Sequence, residues 1–179
     1  MAKHWAVPTG LRTRRAMLAL PVLLTVISAT AHAEVGGAAD LSGVTAVQLT
    51  VNQTTPDALT CGVDLRQLSP VVSDALQVGG LIVDPASDVT VALTILTGYD
   101  ADTGVCATTP MLGAYRRVAY YDDAVGWLRS GDVVLWQRGT TATSASADHA
   151  RAARSAVSEL SDALLASWRD ANQSGLARR

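Results

Sequence analysis

The stretch CGVDLRQLSPVVSDALQVGGLIVDPASDVTVALTILTGYDADTGVC, residues 61–106, sets a helix beside two strands and carries the chain's 2 cysteines at its ends. Leu65, Leu68, Val72, Ala75 and Leu76 recur at three- and four-residue intervals, which predicts an amphipathic helix over residues 62–78 that stops at Gly79-Gly80. Pro70 interrupts that pattern. Either the helix kinks there, or Ser69 caps a second piece with Pro70 at its tolerated first position. Leu81 to Val83 reads as a short strand entering the turn at Asp84-Pro85. The alternation of Val89, Val91, Leu93 and Ile95 with Thr90, Ala92, Thr94 and Leu96 predicts the strongest strand of the chain. Turn residues over 98–109 then place Cys106 in or beside a loop.

Working outward toward the start, residues 1–33 read as an export signal. Lys3, Arg12, Arg14 and Arg15 give a basic start, residues 16–29 an apolar run, and Ala31-His32-Ala33 a cleavage site between Ala33 and Glu34. The apolar run contains Pro21 and is shorter than the roughly 20 residues needed to cross a bilayer, so removal is expected rather than anchoring. No later stretch qualifies as an integral membrane segment. Residues 13–18 resemble the twin-arginine export pattern, but Met17 and Ala19 depart from it and the general secretory route is expected. No cysteine stands at the cleavage point, which argues against a lipid anchor.

Export decides the reading of the cysteines. In an oxidising compartment Cys61 and Cys106 are expected to pair, and closing a loop of that length stabilises a fold by about 4 kcal/mol on chain entropy. Their Cα atoms must then lie within about 7 Å. Removing the signal also takes away four of the 14 basic residues and none of the 16 acidic ones, leaving a formal charge of −6 on the mature chain. Such a chain repels nucleic acid and anionic membrane surfaces. The mature length suits one core. Residues 34–43 are expected to be a flexible leader, 44–172 a single domain and 173–179 a frayed tail.

Residues 44–53 alternate as a half-buried strand. Downstream, residues 111–121, 124–129 and 133–139 read as three strands of a meander, with turns at Asp122-Asp123 and Ser130-Gly131-Asp132. Residues 140–147 form a small polar connector. A long helix over about 147–172 buries Ala150, Ala153, Val157, Leu160, Leu164 and Trp168. The expected fold is therefore α+β: an antiparallel-dominated sheet of five or six strands packed by two helices, in the order β-α-β-β-β-β-β-α. In that order of elements, residues 44–172 resemble the small α/β modules of bacterial envelope machinery, namely the TolB N-terminal domain and the CsgG-like and LptE-like domains. The resemblance implies an accessory role in the envelope and carries no functional residue over.

Catalytic groups are scarce. The mature chain holds one histidine, His149, expected to be solvated beside Asp148 in the first turn of the last helix. Asp100-Ala101-Asp102-Thr103-Gly104 lacks the glycine and acid spacing of a calcium loop and reads as a polar turn. Neither metal nor cofactor is expected, and a pair of carboxylates for glycoside hydrolysis is the enzyme chemistry left open. Tyr115, Tyr120, Tyr121, Trp127 and Trp136, with Arg116 and Arg117, form the candidate binding surface, weighed against ordinary core packing of strand aromatics. The expectation is a periplasmic or secreted, non-catalytic binding module whose partner is another envelope protein. The alternatives are a small glycan or peptide hydrolase using paired carboxylates, and a secreted inhibitor or effector braced by the disulfide.

Overall fold

The computed structural model describes residues 33–34, 40–53 and 55–176. The expected export signal up to His32 and the last residues of the expected tail lie outside them. The elements are β1 (Ala33–Glu34), β2 (Ala46–Gln53), α1 (Asp57–Thr60), α2 (Leu65–Gly79), β3 (Ile82–Val83), β4 (Val89–Asp100), β5 (Val105–Asp122), β6 (Trp127–Gly139), β7 (Ala142–Ala145) and α3 (Ser146–Leu176). The fold is α+β, a mixed sheet in the order β1-β6-β5-β4-β2-β3 with β7 also on β5, and helices packed on it. Antiparallel pairs dominate, while β2 lies parallel to both β3 and β4.

The α2 helix starts where Asp64 accepts the Arg66 N–H at 2.9 Å and ends at Gly80, whose φ of 102° closes the last turn. The helix continues through Pro70, which is exposed; the bond it forfeits would have gone to the carbonyl of Arg66, on the solvent side. Its buried stripe of Leu68, Val72 and Leu76 meets the alternating Val89, Val91, Leu93 and Ile95 of β4 in one core. α3 completes that layer, and a methyl group at Gly79 would run into Leu165, so the two helices touch where no side chain intervenes. The far end of α3 pins the chain before β2. Trp168 Nε1 donates to the Val44 carbonyl at 2.7 Å, and Asn172 Nδ2 donates to that of Leu41 at 3.1 Å. Leu41, within the stretch read as leader, is buried in the core.

The Cys61–Cys106 disulfide is present, with Cα atoms 5.9 Å apart. It joins the end of α1, a single helical turn, to the second residue of β5. Cys106 thus stands just past the turn and inside the sheet, paired with Tyr99 on one side and Ser144 on the other. The break expected over 98–109 narrows to residues 101–104. There Asp100 accepts from the Asp102 N–H and the Thr103 hydroxyl, which also hold its carboxyl below the ordinary range, and Gly104 takes a φ of 66°. The connector expected at 140–147 supplies β7, which extends the ladder on β5.

The meander is corrected most. Ser130-Gly131-Asp132 does not turn the chain; it lies within β6, laddered to residues 117–119 of β5. Two predicted strands merge into one of 13 residues opposite a strand of 18. The turn between them is Asp122 to Gly126, where the Asp122 carboxylate accepts the Ala124 N–H at 3.1 Å and Gly126 supplies a φ of 68°.

Candidate binding surface

β4 ends its pairing at Val89 opposite Arg116, and the Arg117 N–H reaches the Asp88 carbonyl at 3.1 Å. Among the described residues, the hairpin beyond that point has no third strand, so residues 117–132 form a two-stranded ribbon projecting from the sheet. Ribbons of this kind are marginal alone, and this one is carried by the buried parts of its own long strands. Alternation puts Arg117, Ala119 and Tyr121 on one face with Asp132, Ser130 and Leu128. Tyr120 and Asp122 share the other with Arg129 and Trp127. An Arg129–Asp122 ion pair of 3.1 Å ties the tip, and the Tyr120 ring lies over Gly131, where an added Cβ would meet Cε1 at 3.2 Å. A ring on a strand glycine shields the exposed backbone and holds the strand extended.

The seven candidate residues therefore divide. Tyr120, Tyr121 and Trp127 stand on the ribbon, with Trp127 71% exposed, and Arg117 is exposed at its base. Trp136 is 6% exposed and belongs to the core; its Nε1 donates to Ser167 Oγ of α3 at 3.1 Å. Tyr115 is half-buried on the sheet face away from the helices, lying over Gly113. Arg116 is half-buried, with Nε 3.5 Å from the Asp88 carboxylate, an ion-pair distance at which no hydrogen bond forms. Leu128, 77% exposed, and Val125, Val133 and Val134 join the exposed surface without having been singled out from the sequence. Their signal was the pair Trp127-Leu128, adjacent apolar residues that cannot both face a core from one strand.

At the base of the ribbon, Arg117, Ser130 and Asp132 meet Gln48, Thr90 and Asp88 around an open groove of about 590 Å³. It gathers two carboxylates and one guanidinium.

His149 is not solvated: it is 0% exposed. Its Nε2 lies 2.7 Å from Thr108 Oγ1 and its Nδ1 2.9 Å from Ser144 Oγ, while Thr108 Oγ1 lies 2.9 Å from Thr97 Oγ1. The Thr108 and Ser144 hydroxyls can each donate or accept, so each tautomer of the neutral ring finds a partner for both of its nitrogens. Burial pushes the imidazole below its ordinary range. Both ring nitrogens are engaged inside the core, so His149 joins α3 to β5 and β7 beside the disulfide rather than facing a substrate. Asp148 points outward to an ion pair with Arg151. Among the described residues, no cluster of His, Cys, Asp and Glu could hold a metal ion, and no helix is long and apolar enough to cross a membrane.

No protein-family model and no curated protein matches this chain. Among solved structures, a variant PelC dodecamer from Paraburkholderia phytofirmans is similar at 15% identity and a TM-score of 0.42, covering 73% of this chain and 91% of that one. A second PelC dodecamer from the same organism gives 15% identity and a TM-score of 0.40, covering 73% and 93%.

Proposed function

We propose that the protein is a non-catalytic, exported accessory or binding module of the bacterial cell envelope, and that it captures another envelope protein on the ribbon of residues 117–132. What carries the reading is the display of Tyr120, Tyr121, Trp127 and Leu128 on a braced projection with no core of its own. Burying an apolar side chain contributes about 1.5–3 kcal/mol, and the folded chain leaves most of that contribution unused at Trp127 and Leu128 and part of it at Tyr120 and Tyr121. Tyr and Trp are the residues that anchor protein interfaces, being large and amphipathic with few rotamers to freeze. The test is affinity capture from envelope extract with the disulfide-bonded protein and with a variant carrying Tyr121→Ala and Trp127→Ala. A captured protein that is lost with the variant, at unchanged melting temperature, is the expected result. Empty capture by both, together with turnover of an envelope glycan or peptide by the wild type, reverses the reading.

One observation favours hydrolysis by paired carboxylates as a second reading: Asp88 and Asp132 line the same groove. Turnover abolished by Asp132→Asn would promote it.

A further inference from the structure

The ribbon has a second unpartnered feature, the outer edge of β6. Among the described residues, β6 has a neighbour on that side only at Arg138 and Gly139, where β1 lies. Among the described residues, the main chain of residues 127–137 therefore has no strand on that side, and it is flanked by the exposed Trp127, Leu128, Val133 and Val134. A lipid surface is a poor occupant, because hydrocarbon leaves the N–H and C=O groups of an open edge unsatisfied. Another strand satisfies them.

We propose that this edge pairs with the same edge of a second copy, antiparallel, about a twofold axis at Gly131. A twofold normal to the sheet keeps every residue on its own face, so the two residue numbers in each pair must add to an even number. That leaves few registers, and charge and burial choose among them. An axis at Arg129 or at Asp132 sets like charges directly opposite, and an axis at Ser130 sets Leu128 against Asp132. An axis at Gly131 sets Leu128 against Val134, the Arg129 stem against Val133 and Ser130 against Asp132, with no side chain to crowd the axis. Trp127 and Leu128 border both surfaces, but Tyr120 and Tyr121 stand on β5, away from this edge, so the tyrosines separate partner capture from self-pairing.

The experiment is sedimentation velocity of the signal-free, disulfide-bonded protein over a concentration series, alone and with Val134→Lys or Leu128→Glu. Both positions are exposed, so the fold tolerates the charge. The wild type dimerises. Each variant associates about tenfold or more weakly, because it sets a charge against an apolar partner twice over. An equimolar mixture of the two regains a dimer, since the introduced ammonium of one copy then faces the introduced carboxylate of the other and the remaining Leu128–Val134 pair is native. A wild type that stays monomeric throughout, a dimer unaffected by Val134→Lys, or a mixture that remains monomeric overturns the pairing. Val134→Lys lies outside the capture residues, and capture through Tyr121 is read separately by Tyr121→Ala in the extract experiment.

Discussion

Acidification should unstitch the end of the molecule that the disulfide braces. His149 is buried and neutral, its neighbours Thr108, Ser144 and Thr97 carry no charge, and Asp148 beside it is turned outward to Arg151. In the unfolded chain the same imidazole titrates near about 6.5. Burial lowers that value in the fold, so between the two values the unfolded state binds the extra proton. The contribution of neutral His149 is thus fully present above about pH 6.5 and is lost as pH falls through the lowered folded value. One proton sets a limiting slope of about 1.4 kcal/mol per pH unit. His149 is the single histidine left once residues 1–33 are removed, and carboxylates titrate mostly below this window, so the slope has one main source. Urea titrations at intervals from about pH 8 to 5 should show it in the wild type and not in His149→Gln, whose amide retains a donor and an acceptor. A flat wild-type profile, or the same slope in His149→Gln, would refute the assignment of a neutral, buried imidazole.

Replacing both Cys61 and Cys106 by Ser should cost about 4 kcal/mol, from the entropy of a loop spanning 45 positions, read as a fall in the urea midpoint. Mass analysis of the exported wild type should find no free thiol. Asp64→Ala removes the N-cap of α2 and should cost about 0.5–2 kcal/mol, while Asp64→Asn retains most of that stability.

The parts of the fold that were legible are those where one physical signal acts alone. The α2 stripe and the β4 alternation each have one clear period, and the cysteine pairing followed from two cysteines in a chain expected to be exported. The position of His149 was obscured by alanine. With Ala147, Ala150, Ala152, Ala153 and Ala156 around the start of α3, the small residues do not define a face, and the buried stripe takes His149 where Ala150 was expected. Ser130-Gly131-Asp132 has the composition of a turn, but the ladder to residues 117–119 and the Tyr120 ring over Gly131 hold it extended. Trp127 and Trp136 look alike in the sequence because both are strand aromatics. Their burial is decided by β4, which begins pairing at Arg116 and supports the hairpin on one side of that point only.

The proposed binding role of the ribbon is tested most directly by placing a photo-crosslinking residue at position 127 in living cells, with a control at Val78, which is 90% exposed on α2. The account predicts a discrete crosslink to an envelope protein from position 127 and none from position 78. Equal labelling from both positions, or none from the ribbon while the helix site captures a partner, would contradict it.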